Sequence, residues 1–174
     1  AIANPLSAEM AVMRTSLLPG LVETLKNNSA RQQTRLRLFE FGRVFVDQDA
    51  SPPIERQSFS AVFCGNAMPE LWSGKSAPVD FYDIKAVLDS ALLRVGFKAT
   101  YAPSNKAYLH PGRSADVVVD GKSVGVIGAL HPGLNNTLDL PADVYVFEID
   151  LDALPMRTLP KAGAISRFPS VRRD

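Results

Sequence analysis

The chain has 174 residues, 46% of them apolar and 21% charged, enough for one full core or two small ones and too apolar for a disordered segment. No apolar run approaches the roughly 20 residues of a membrane helix, and AIANPLSAEM lacks a basic segment followed by an apolar one, so cytoplasm is the default and no membrane partner is expected. A formal charge of +1 gives no overall reason to expect nucleic acid, and one cysteine cannot make an internal disulfide. Cys64, His110 and His131 match none of the paired spacings of a structural zinc site. Charge is uneven along the chain. Between residues 14 and 43, Arg14, Lys26, Arg31, Arg35, Arg37 and Arg43 face only Glu23 and Glu40, and Arg157, Lys161, Arg167, Arg172 and Arg173 mark a basic tail.

The predicted elements follow an α+β order. Ser7 is placed to cap a short helix, and Thr15 or Ser16 to cap a second that runs to about Asn28, with Pro19 in its first turn where a missing N–H costs least. LRLFEFGRVF, Leu36 to Phe45, and SFSAVFCG, Ser58 to Gly65, are rich in aromatic and β-branched residues. The loop DQDASPP separates them, so they read as neighbouring antiparallel strands. Between Asp83 and Val95, Ile84, Val87, Leu88, Ala91, Leu92 and Val95 share one helical face, and Gly96 suits the stop. A short strand near Thr100 precedes YLHPGRSADVVVDGKSVGVIGALHPGL, Tyr108 to Leu134. There Asp120-Gly121 is a turn signal between alternating runs, Ala115 to Val119 and Ser123 to Leu130. A His-Pro-Gly flanks the hairpin on each side, where Pro and Gly are expected to end strands. A brief helix after Pro132 and a strand VYVFEIDL, Val144 to Leu151, complete the order. The last 20 residues, with Pro155, Pro160 and Pro169, read as a linker or extended arm. One domain is expected, residues 1–154, followed by the linker 155–174.

Several chemical readings compete. SGKS, Ser73 to Ser76, has the end of a phosphate-binding loop, but that motif needs Gly where Pro69 stands; a polar loop around Trp72 is the plainer account. Cys64 in an apolar strand reads as a buried small residue. His110 or His131 is a possible general base with Ser114, Asp116 or Asp139, since imidazole titrates near neutrality, yet no nucleophile-bearing turn accompanies them. Asp80 and Asp83 suit a helix start, and with Asp89 they miss a calcium-loop spacing. Arg31, Arg35 and Arg37 offer phosphate contacts, with a solvated face as the alternative.

Taken in order, NPLSAEMAVMRTSLLPGLVETLKNN, RLFEFGRVF, DFYDIKAVLDSALL, the stretch with both histidines, VFEIDLDAL and FPSVRRD make a chain that resembles the catalytic-core-like region of bacterial phenylalanyl-tRNA synthetase β subunits. The resemblance implies a class II aminoacyl-tRNA synthetase core-like fold, an antiparallel β-sheet flanked by helices. It also implies that the α subunit holds the working active site and that this region is a degenerate copy, whose hairpin strands correspond to ones that help form the amino-acid pocket. In the second class II motif, Gly42, Arg43, Val44 and Phe45 match, but Val46 stands where the ATP-binding arginine belongs. In the third, Glu148 and Asp150 replace glycines and Ala153 falls at the arginine position. Acidic residues there repel triphosphate, whereas arginines stabilise it.

The resemblance therefore implies no catalytic, cofactor-binding or metal-binding residue in this segment, although the whole complex uses ATP and Mg. It implies an (αβ)2 heterotetramer in which this region packs on the α subunit and meets tRNA(Phe) only through the complex. A helix and strand lie upstream in the family, FPSVRRD leads toward an anticodon-binding domain, and lost neighbours leave a strand edge open. Leu17, Leu18, Leu21, Phe39, Phe41 and Phe45 are the apolar residues expected to be divided between core and interface. The rival from another class is a stand-alone hydrolase or transferase using His110 or His131 beside Arg113 and Asp116; a third reading is a tRNA-contact module made by the basic ends.

Overall fold

A computed structural model describes residues 12–46, 53–69, 72, 76–140 and 143–156. The predicted cap at Ser7 and the tail beyond Met156 lie outside them. The described elements run α1 (Leu18–Ser29), β1 (Leu36–Val46), β2 (Ile54–Cys64), α2 (Phe81–Arg94), β3 (Thr100–Pro103), β4 (Leu109–Val119), β5 (Lys122–Leu130), α3 (Pro132–Thr137) and β6 (Tyr145–Asp150). The strands form one antiparallel sheet in the order β1-β2-β6-β5-β4-β3. The last described strand in sequence is thus inserted at the centre, between β2 and β5. No described helix is long and apolar enough to cross a membrane.

Helices cover both faces, which makes two apolar layers. On one face Leu18, Leu21 and Leu25 of α1 pack with Leu36, Val62, Val126 and Val146. On the other, Ile84, Leu88 and Leu92 of α2 pack with Phe63, Val117, Ile127 and Phe147. Tyr145, Val146 and Phe147 are all buried because β6 is covered from both sides, so its sequence is a continuous apolar run and does not alternate.

Local chemistry explains most boundaries. The Asp80 side chain accepts the Tyr82 and Asp83 N–H groups while Asp83 accepts the Asp80 N–H, a reciprocal cap that starts α2. Its apolar face is narrower than the spacing predicts. Ile84, Leu88 and Leu92 are buried, whereas Val87 and Val95 are exposed because the sheet touches only one side of the helix. Asp120 and Gly121 both have positive φ, as a tight two-residue hairpin turn requires. Gly125 is needed for close approach, since a Cβ there would lie 2.2 Å from the Glu148 carbonyl oxygen on β6.

Two expectations are corrected. The N-cap of α1 is Leu17, with no side-chain cap bond of its own; Ser16 lies one residue earlier and Thr15 two. The Ser16 hydroxyl does accept the Leu18 N–H at 3.1 Å, but its proton goes to Glu148 across the sheet. The first His-Pro-Gly does not end a strand. It lies inside β4, where the pairing with β5 shifts register between Leu109 and Ser114, and this irregularity accommodates a proline that regular pairing would reject. The second ends β5 as expected and places Pro132 in the first turn of α3.

Candidate functional site

The α1 face of the sheet carries an acidic row. Strand register aligns Glu40, Ser60, Glu148, Val126 and Asp116 across β1, β2, β6, β5 and β4. Glu148 is its centre. Its Oε1 accepts the Leu17 N–H at 2.8 Å, the Ser60 hydroxyl at 3.0 Å and the Ser58 hydroxyl at 3.3 Å, and its Oε2 accepts the Ser16 hydroxyl at 2.7 Å. Four donors nearly exhaust the lone pairs of a carboxylate. Glu148 thereby supplies, from the middle of the sheet, the anionic cap that α1 lacks locally.

Beside this hub lies a cavity of about 270 Å³ whose lining includes Val46, Arg56, Lys106, Tyr108, Glu148 and Asp150. The fold therefore brings Val46, Glu148 and Asp150 together. The Arg56 guanidinium, 2.5 Å from Asp150, is committed to that carboxylate, whose hydrogen bond and charge raise its pKa. Ala153 sits instead on a 3-10 turn, Leu151–Ala153, packed toward the α2 layer. A second cavity of about 520 Å³ shares Thr15, Tyr108 and Glu148 with the first and is otherwise walled by Ser16 and by apolar residues such as Leu18, Val22, Leu130 and Leu134. Burial first, then the charges of Glu148 and Asp116, push the Tyr108 phenol pKa up, so that it stays neutral. A triphosphate does not fit this chemistry. Val46 offers no charge, Arg56 is already paired, and Lys106 stands against the two carboxylates of Glu148 and Asp150, which oppose phosphate.

The histidines do not assemble an active site. Each uses Nδ1 to accept the N–H of the glycine two residues on: His110 from Gly112 at 3.0 Å and His131 from Gly133 at 3.1 Å. The repeated His-Pro-Gly thus repeats one local hydrogen bond, in which the imidazole caps a backbone N–H. Arg113 is held by Asp143 at 2.6 Å and also donates to the Tyr145 hydroxyl. Asp116 lies on the α1 face with its Oδ1 buried and without a partner among the described residues, as is the Ser114 hydroxyl. Asp139 follows α3 in a left-handed backbone conformation. No histidine shares a hydrogen bond with any of these groups, so the base-and-nucleophile arrangement of the hydrolase reading is not formed.

The remaining candidates have structural duties. Cys64 is buried, and burial pushes its thiol pKa up, away from the reactive thiolate. Arg35 and Arg37 both donate to the carbonyls of Asn66 and Ala67, which leaves them poorly placed for phosphate; Arg31 is exposed. In the SGKS stretch Ser73 to Lys75 lie outside the described residues, and the Ser76 hydroxyl accepts the Met68 N–H. Asp89, given no role by its spacing, accepts from Lys85 Nζ and from the Tyr101 hydroxyl, each at 2.6 Å, tying α2 to β3. Among the described residues, no group of three or more His, Cys, Asp or Glu side chains is arranged to hold a metal ion. Sequence reasoning missed the donors around Glu148. Ser16, Ser58 and Ser60 carry no local signal, because their shared acceptor lies 88 or more residues away.

The family model described as phenylalanyl tRNA synthetase beta chain CLM domain matches residues 1–151. The chain is 49% identical over 176 residues to the phenylalanine–tRNA ligase beta subunit of Xanthomonas oryzae pv. oryzae (strain MAFF 311018), covering 99% of this chain and 22% of that protein. It is likewise 49% identical over 173 residues to the beta subunit of Xylella fastidiosa (strain Temecula1 / ATCC 700964), covering 98% and 22%. It spans about a fifth of the length of these curated relatives. By the extent of the family match and the identity to these relatives, the chain belongs to the phenylalanyl-tRNA synthetase beta chain CLM domain family.

Proposed function

We propose that this chain is the noncatalytic, class II core-like domain of a phenylalanine–tRNA ligase β subunit. It supports ATP-dependent attachment of phenylalanine to tRNA(Phe) by packing on a catalytic α subunit in a cytoplasmic (αβ)2 assembly. The domain occupies residues 1–154, and 155–174 lead toward a neighbouring anticodon-binding domain. The observation that carries the reading is Glu148. The reading takes the α1 face of the sheet as the counterpart of the face on which a class II core binds ATP, and it is supported by the internal carboxylate there, which has four donors, and by Val46 and Asp150 beside it. ATP and Mg belong to the complex, and no residue of this chain is assigned to hold them. The relatives' name, beta subunit, supports an α partner.

Of the six apolar residues expected to be divided between core and interface, Leu17, Leu18 and Leu21 are buried. Phe39 and Phe41 are 68% and 61% exposed, and Phe41 stacks on the half-buried Phe59 with ring centroids 4.2 Å apart. Large exposed aromatics continuous with a core mark contact surfaces, and we assign this face to the α subunit. The test is co-purification of the chain with a phenylalanyl-tRNA synthetase α subunit, followed by ATP-dependent phenylalanine activation with and without the rest of β. Capture by α, with activity confined to the assembly, is expected. Turnover by the isolated chain that disappears in His110→Ala would overturn the proposal.

A further inference from the structure

Three buried oxygens lack hydrogen-bond partners among the described residues: the Ser114 hydroxyl, Asp116 Oδ1 and the hydroxyl of Ser104, a residue only 7% exposed that directly follows β3. Buried polar atoms are normally satisfied, so three orphans in one region call for a common cause. Strand register makes them neighbours. β3 and β4 pair in antiparallel steps, Ala102 with Asp116 and Pro103 with Ala115, and the next step sets Ser104 opposite Ser114. Ser114 and Asp116 are two residues apart on one strand and so share the α1 face; Ser104, two residues after Ala102, shares it with them. The other positions around the trio offer no polar side chain. Asp116 lies between Ala102 on β3 and Val126 on β5, and Ser114 is paired on its other side with Gly128. A Cβ at Gly128 would come within 2.6 Å of the Ser114 Cβ, so the glycine is what lets Ser114 occupy this face.

We infer that Ser104, Ser114 and Asp116 form a binding site for one internal water molecule, which accepts from the two hydroxyls and donates to Asp116 Oδ1. Directly opposed residues in a sheet have Cβ atoms about 4.5–5.5 Å apart, no hydrogen bond joins the three side chains directly, and one molecule making bonds of about 2.8 Å bridges such a gap. Water also suits the set by count. A buried water makes about three hydrogen bonds, the number these oxygens supply, whereas a calcium or magnesium ion takes about six or more oxygen ligands. The bridge ties the end of edge strand β3 to β4 through side chains at the point where backbone pairing stops, at Pro103. It thereby fixes the start of the loop that carries Lys106 and Tyr108 to the cavity beside Glu148. The site is independent of the α-subunit packing proposed above.

The test uses the 174-residue chain. Oxygen-17 relaxation dispersion counts long-lived internal waters, and Ser104→Val, which fills the site with methyl groups, is expected to show one fewer than the parent. An unchanged count in a natively folded Ser104→Val overturns the inference. Ser104→Ala and Ser114→Ala are milder and give a second readout. The two serines share no direct bond, so their effects on the unfolding equilibrium constant should couple only through the shared water. A double-mutant cycle is expected to give a coupling of about threefold or more, and a smaller value overturns the shared site. Stability in sodium, potassium and choline chloride at equal ionic strength is expected to be the same. A gain specific to one of the metal salts would assign the site to a cation and overturn its assignment to water.

Discussion

Glu148, in the central strand β6, accepts the backbone N–H of Leu17 at 2.8 Å and so caps a helix that begins 131 residues earlier in the chain. The same carboxylate holds three serine hydroxyls, so one acidic side chain joins α1, β2 and β6. Here the anion is built in, and its donors are consumed internally.

Glu148→Ala should therefore destabilise the domain well beyond an ordinary surface change. It removes a charged cap and leaves the Leu17 N–H and the Ser16 and Ser60 hydroxyls short of an acceptor, while the Ser58 hydroxyl keeps the Ile149 carbonyl at 3.2 Å, a loss of about 2–4 kcal/mol. Urea denaturation of the chain measures it, and a change below about 0.5 kcal/mol, the range of neutral surface substitutions, would show that Glu148 is not the hub described.

Val46→Arg should not create ATP binding. The new guanidinium would enter a cavity lined by Glu148 and Asp150, which oppose triphosphate and are able to pair with the arginine themselves. Isothermal titration with MgATP is expected to be silent, and measurable affinity would mean that the acidic pair does not face the nucleotide position.

Tyr101 gives a pH signature. Burial chiefly, with the hydrogen bond and charge of Asp89 adding to it, raises its pKa well above the usual phenol range. The folded state thus keeps a proton that the unfolded chain releases above about pH 10. Stability from this group is complete below that pH and declines as pH rises toward the folded value. Burial raises Tyr108 and Tyr145 in the same direction. Tyr101→Phe should cost about 1–2 kcal/mol at pH 8 through the lost bond to a charged acceptor, and it should lose less additional stability than the parent between pH 9 and about pH 11. Parallel declines in the two proteins would rule out Tyr101 as a source of the slope.

Ile84→Asp and Val87→Asp separate the true inner face of α2 from its neighbour. Ile84 is fully buried, and a carboxylate there should unfold the domain, a loss of more than about 4 kcal/mol. Val87 is 45% exposed, and the same charge there should change stability by only about 0.5 kcal/mol. Thermal melts of the two variants decide the matter, with equal destabilisation counting against the observed packing.

The candidate site was legible in part. A family resemblance singles out Val46, Glu148 and Asp150, and the fold gathers them around one cavity. The serines that neutralise Glu148 were not identifiable, because nothing in Ser58 or Ser60 distinguishes them from other strand serines. Their role exists only once β2 and β6 are neighbours. The two histidines misled for a related reason. A His-Pro-Gly has the residue types of catalysis, yet its own backbone supplies the hydrogen-bond partner within two residues.

What the sequence determined by itself is local. The order and type of the described elements follow from apolar periods of two and of three to four, from Asp80 and Asp83 as a cap, and from Asp120-Gly121 as a turn, because such signals act within a few residues. Tertiary structure alone decided that β6 lies between β2 and β5, that α2 buries Ile84 but not Val87, and that Glu148 caps α1. Those outcomes depend on which surfaces meet across long loops, where strand order and the satisfaction of buried polar groups prevail over local preference.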